Sequence, residues 1–148
     1  MKRLLLIIFA AGMMASCSSD DDSSSENSIV GTWILTEANL AIPVDINQDG
    51  TQNRDVLDEF PCFEGSVNFE VNETYTRRIS TVIPVNEGLD CGPATTNSGT
   101  YELNGDQLTI TESSGETTTA TVDLNGNTLS GNFEFQTYGN VELVFQKN

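Results

Sequence analysis

From residue 29 onward, apolar and polar residues alternate along most of the chain. In SVNFEV, Val67, Phe69 and Val71 fall on one face and Asn68 and Glu70 on the other, the period of a strand with one buried face. The rhythm recurs in TYEL with Tyr101 and Leu103, in QLTI with Leu108 and Ile110, and in TATVDL with Ala120, Val122 and Leu124. TLSGNFEF repeats it with Leu129, Phe133 and Phe135, although Gly131 suggests a bend or bulge there. VELVF ends the series with Val141, Leu143 and Phe145.

Turn signals separate these runs: Asn-Gly at 104–105 and 125–126, SSG at 113–115 and YGN at 138–140. Asn-Gly supplies the positive φ angles of tight hairpins, so strands adjacent in sequence are expected to be adjacent in the sheet. With IVGTWILTEANL and TYTRRISTVI the count reaches about eight strands, enough to close a small barrel without exposed edges. The expected fold is all-β, an eight-stranded antiparallel up-and-down barrel. A two-sheet sandwich is the alternative, and hairpin connections throughout favour the barrel. NRDVLDEF predicts a short helix in the first long connection, capped by Asn53 and stopped before Pro61.

The segment before residue 29 has a different character. Lys2 and Arg3 precede an apolar run, Leu4 to Ala15, that is too short to span the hydrocarbon core as a helix. Residues 1–16 therefore constitute an export signal. SSDDDSSSENS, which follows Cys17, has no apolar residue and predicts a disordered acidic tether over 17–28, leaving one domain over 29–148. Without the leader the chain keeps four basic residues against 22 acidic ones, a net charge of −18. Such a surface repels phosphates, so nucleic acid is not an expected partner. The chain has no His, which excludes a Ser-His-Asp triad, a Cys-His pair and a His-based zinc site.

MASC, Met14 to Cys17, resembles the lipobox of bacterial lipoproteins, with Met in the position usually held by Leu. The resemblance implies lipid attachment at Cys17 and a membrane anchored by acyl chains, since two chains already anchor stably. A Cys followed at once by Ser and an acidic run also resembles the signal that sends lipoproteins of the Bacteroidota to the outer face of the outer membrane. With Cys17 acylated, Cys62 and Cys91 remain as a pair. Export makes an oxidised bridge their expected state, worth about 3.5 kcal/mol in the chain-entropy model. The rival reading, two reactive thiols, lacks any His or nearby Lys to lower a thiol pKa.

Gly31-Thr32-Trp33 resembles the GxW signature of lipocalins, in which the Trp plugs the closed end of the barrel. GTW in the first strand, a DxNxDG loop, a Cys before a strand, a second Cys before GTYELNGDQLTI and an ending at VELVFQKN together resemble the lipocalin-like domain of Bacteroidota lipoproteins, over residues 29–148. Two features depart from true lipocalins. There is no C-terminal helix, and no Arg follows the last strand to pack on Trp33; Lys147 is the only cation near.

Trp33, Phe69, Tyr101, Phe133, Phe135 and Phe145 are expected to point into the lumen. In an eight-stranded barrel such residues either fill the interior or line a pocket for one small ligand, and periodicity admits both. DINQDGTQNRD adds a candidate calcium loop. Asp45, Asn47 and Asp49 alternate ahead of Gly50, Thr51 offers a carbonyl and Asn53 a further oxygen. These are the oxygens of an EF-hand-type loop. Val56 stands where a bidentate Glu is expected, so Asp55, or alternatively Asp58, would close the shell. Asp, Asn and Gly also build ordinary turns. One structural calcium ion is the cofactor expected, and there is no other.

Catalysis is not expected. No carboxylate lies in an apolar run that would raise its pKa, and Lys147 is the one Lys left after the leader. Two functions stay open: a carrier for a small hydrophobic ligand, or a solid-core structural or protein-interaction module at the cell surface with an unknown partner.

Overall fold

The computed structural model describes residues 28–85, 88–135 and 139–148. The expected signal peptide, Cys17 and all of the expected acidic tether except Ser28 lie outside the described residues, as does the Phe135 side chain. The elements in order are β1 (Gly31–Val44), β2 (Asn53–Asp55), α1 (Val56–Glu59), β3 (Gly65–Phe69), β4 (Thr74–Val85) and β5 (Gly88–Asn104). They continue with β6 (Gln107–Glu112), β7 (Thr117–Asn125), β8 (Thr128–Phe135) and β9 (Gly139–Lys147). Among the described residues no helix is long and apolar enough to cross a membrane.

The sheet runs β1-β3-β4-β5-β6-β7-β8-β9, every pair antiparallel, and β9 returns to pair with β1. The result is a closed eight-stranded barrel, with β2 a three-residue ribbon on the far end of β1. β1 carries the closure. Gly31 to Ile34 pair with β3, and Trp33 to Leu40 pair with β9 across a register shift between Leu35 and Glu37. An extra residue at such a shift bends a strand and tightens its twist, which a long strand needs in order to wrap a narrow barrel. Two-residue turns at 105–106 and 126–127 join β5 to β6 and β7 to β8, with Gly105 at φ 62° and Gly126 at φ 58°.

Inward positions match the alternation in most strands. Tyr101, Leu108, Ala120, Val122, Leu129 and Val141 are buried. Val71 is a correction: it is 86 % exposed, because β3 ends at Phe69. Asn72 turns the chain first, its Oδ1 accepting from the Thr74 backbone N–H at 3.2 Å and from the Thr74 hydroxyl at 2.7 Å. β5 is also longer than expected. CGPATTNSG is rich in turn formers, yet it pairs with β4, with Pro93 in a register shift where no ladder N–H is required. Gly131 makes no bulge; it pairs regularly with Val122 and Leu143. It is a point of close approach, where a Cβ would lie 3.0 Å from Val122 Cγ1 and 3.3 Å from the Phe133 ring.

One end of the barrel is solid. Ile29, Trp33, Phe69, Tyr75 and Tyr101 pack there with Leu108 and Leu129. Trp33 is fully buried and its Nε1–H donates to Ile29 O at 2.6 Å. The Tyr101 hydroxyl donates to Glu70 O at 2.9 Å while its ring meets Phe69 edge-on at 4.8 Å. Lys147, paired opposite Trp33 in the β1–β9 ladder, holds its Nζ 5.2 Å from the Trp33 ring centroid and donates to Ser28 O at 2.8 Å. The cation thus packs on the plug and ties down the chain's entry into β1. Replacing Lys147 by Met keeps the aliphatic stem and removes both contacts. We expect a loss of about 1–2 kcal/mol, read from the urea midpoint at unchanged slope.

Candidate functional site

Above the plug the barrel is hollow. A cavity of ≈ 400 Å³ occupies the open half, within the range typical of small-ligand pockets. Its floor is the upper surface of the plug, formed by Phe69, Tyr75 and Leu108. Its walls carry Leu35 and Leu40 from β1, Phe133 from β8 and Leu143 and Phe145 from β9. Of the residues expected in the lumen, Phe69, Phe133 and Phe145 do line it. Trp33 and Tyr101 belong to the plug beneath, because the β1–β3 and β4–β5 registers place them at the closed end.

The mouth is partly covered by the long connection between β1 and β3, from which Ile46, Val56, Phe60 and Phe63 face the cavity. Val82 and Leu89 face it from the β4–β5 hairpin. Cys62 and Cys91 form a disulfide with Cα atoms 5.9 Å apart, which fastens this lid to that hairpin. Two carboxylates shape the lid from within. Asp55, and not Asn53, caps α1: its Oδ1 accepts from Leu57 N–H at 3.0 Å and also from Ala38 N–H of β1 at 2.9 Å. Glu59 is buried, and its Oε2 accepts from Ile46 N–H at 2.9 Å, drawing the loop down onto the helix.

The cavity wall has one polar stretch. On β4 the alternation that turns Tyr75 inward also turns Arg77 inward, and both side chains line the cavity. Arg77 pairs with Glu112 at 2.8 Å, and Glu112 accepts a second bond from Asn97 Nδ2 at 3.3 Å. The Tyr75 hydroxyl and Arg77 Nε are buried without a hydrogen-bond partner among the described residues. Burial, and then the Glu112 charge, raise the Tyr75 pKa above its ordinary 10.0, with Arg77 opposing. Burial and Glu73 raise that of Tyr101. Both phenols therefore stay protonated donors at neutral pH, and they withdraw stability only above about pH 10, where the unfolded chain ionises them first.

Asp45, Asn47 and Asp49 come together in a single turn. Asp45 Oδ1 and Asn47 Oδ1 both accept from Asp49 N–H, at 3.1 and 3.0 Å, and Asp45 Oδ2 accepts from Gly50 N–H at 3.0 Å. Asp49 Oδ1 accepts from Thr51 N–H at 2.7 Å. Gln48 at φ 61° and Gly50 at φ 88° make the sharp reversal. Asn53 begins β2, Asp55 is committed to the α1 cap, and Asp58 is exposed. Among the described residues no three His, Cys, Asp or Glu side chains group closely enough to hold a metal ion.

A family model described as the lipocalin-like domain matches residues 29–131. The chain belongs to the lipocalin-like domain family. The match stops before β9, the strand that closes this lipocalin-like barrel onto β1. No curated protein matches the chain. Among solved structures, the crystal structure of an uncharacterized protein from Bacteroides eggerthii DSM 20697 is similar at 17 % identity, covering 82 % of this chain and all of its own, with a TM-score of 0.47.

Tyr75, Arg77 and the lid residues Phe60 and Phe63 are the site residues that sequence reasoning missed. The signal for the first two was present in TYTRRI, where Tyr75 and Arg77 are two apart and so share a face. For the lid the test is the disulfide. Replacing Cys62 and Cys91 together by Ser is expected to lower stability by about 2–4 kcal/mol, measured by urea unfolding.

Proposed function

We propose that this lipocalin-like protein is a non-enzymatic lipoprotein, anchored by acyl chains at Cys17 on the outer membrane and exposed at the cell surface, whose barrel carries a small hydrophobic ligand. The observation that carries the reading is the ≈ 400 Å³ apolar cavity above the plug. A filled interior would have pointed to a surface module instead; an open lumen under a fastened lid favours a carrier. The family is generally non-enzymatic, which agrees with a chain lacking His and holding its inward Arg77 in an ion pair.

Titrating the purified domain with an apolar fluorescent probe tests this. The wild type is expected to bind saturably, and Leu143→Trp, which fills part of the lumen from the wall, to bind about tenfold more weakly while still unfolding cooperatively in urea. Absence of binding by the wild type, or equal binding by the variant, contradicts the lumen as the site.

The anchor has its own test. Labelled palmitate should enter the wild-type protein in cells and be lost completely in Cys17→Ala, which then appears in the soluble fraction. Label retained by that variant would place acylation elsewhere.

For DINQDG we propose a weak structural calcium site, supported by Asp45 Oδ1, Asp45 Oδ2 and Asn47 Oδ1 gathering on the backbone N–H groups of Asp49 and Gly50 in one turn held at two positive φ angles. At an affinity of roughly 0.1–1 mM, a tenfold excess of calcium adds about 1.4 kcal/mol. A calcium-dependent rise in Tm should vanish when Asp45 and Asp49 are both replaced by Ala; a rise that persists in the variant refutes the site.

A further inference from the structure

An apolar lumen needs no polar wall, yet β4 places one in it. Three buried side-chain atoms among the described residues lack a hydrogen-bond partner, and two of them, the Tyr75 hydroxyl and Arg77 Nε, belong to residues of one cavity wall. Tyr75 is 1 % exposed, so bulk water does not serve its hydroxyl. Leaving buried donors unpaired costs free energy that a chain avoids unless something else supplies the acceptor. Both are N–H or O–H donors, and they sit two residues apart on the same inward face. Phe69, 6.4 Å from Tyr75 between ring centroids, and Leu108 keep the surroundings apolar.

The charges define the acceptor further. Glu112 already neutralises Arg77 at 2.8 Å and is held in turn by Asn97. A carboxylate entering here would stand beside Glu112, whose charge already offsets that of Arg77, in a chain whose formal net charge is −16. Placing a second negative charge beside Glu112 is unfavourable, whereas a neutral oxygen completes the hydrogen bonds without adding charge.

We propose that Tyr75 and Arg77 form a polar station for the carbonyl oxygen of a neutral aliphatic ligand, a long-chain ketone or ester, whose hydrocarbon lies in the apolar remainder of the lumen. This rests on the carrier reading and narrows it to one ligand class. The acceptor is met by the Tyr75 O–H and the Arg77 Nε–H; the chain runs from there toward Phe133, Leu143 and the lid. Free fatty acids at neutral pH are selected against by Glu112.

The test displaces a bound apolar probe from the intact barrel with three ligands of equal chain length: the alkane, the methyl ketone and the carboxylate. The wild type is expected to bind the ketone about tenfold more tightly than the alkane, the yield of two modest hydrogen bonds, and the carboxylate most weakly at neutral pH. Tyr75→Phe removes only the hydroxyl, and Arg77→Lys keeps a cation for Glu112 while removing the Nε donor. Each should bring the ketone down toward the alkane, so that the ratio of the two affinities in the variant falls toward one. Equal binding of alkane and ketone by the wild type, tightest binding of the carboxylate, or an undiminished ketone preference in both variants overturns the polar station while leaving the carrier intact. Failure of all three ligands to displace a probe that binds elsewhere overturns the carrier reading as well.

Discussion

β1 has to pair on both edges at once, with β3 through Gly31–Ile34 and with β9 through Trp33–Leu40, and the rest of the molecule follows from that requirement. Antiparallel hairpins alone give an open sheet with two edges. Joining β9 to β1 removes both edges and fixes the circumference at eight strands, where the interior is just wide enough to be filled or to hold one small ligand. The shift between Leu35 and Glu37 lets the same strand serve the solid end and the hollow end. On the solid end it delivers Trp33; on the hollow end it delivers Leu35 and Leu40 to the cavity wall. Because Lys147 is paired opposite Trp33, closure also brings a cation over the indole without the Arg usual in true lipocalins.

The open half depends on parts that are not strands. Asp55 and Glu59 are acidic residues turned to structural use, one capping α1 and holding β1, the other pulling the loop at Ile46 toward the helix. The disulfide then ties this connection to the β4–β5 hairpin. A covalent bond between two otherwise independent excursions limits how far the mouth opens. Exposed Val82, Ile83, Val85 and Leu89 continue the apolar character of the mouth onto the hairpin surface.

Much of this was legible in the chain. Period-two alternation named the faces of six strands, the Asn-Gly turns named two of their connections, and setting Cys17 aside for acylation left Cys62 and Cys91 to form the bridge. What alternation gives is a face; it does not give depth along the barrel axis. Depth comes from register, and register is a property of pairs of strands. For that reason Trp33 and Tyr101 were placed on the same footing as Phe133 and Phe145, although the first two plug the barrel and the last two line its cavity. The segment CGPATTNSG was hidden by its own turn-forming composition, which β4 overrides by supplying a partner. Val71 failed in the opposite direction, continuing a good alternation past the point where Asn72 had already turned the chain. Whether the lumen is full or hollow depends on summed side-chain volume against strand tilt, which no single run of residues contains.

The central claim is that the hollow half of this lipocalin-like barrel is a binding site. Native mass spectrometry of residues 28–148, produced through an oxidising compartment so that Cys62 and Cys91 pair, tests it most directly. The account predicts a population carrying a bound small organic molecule that mild organic solvent releases and that the bare protein takes up again. A polypeptide that carries its disulfide, emerges bare, and stays bare when apolar molecules are supplied would contradict it.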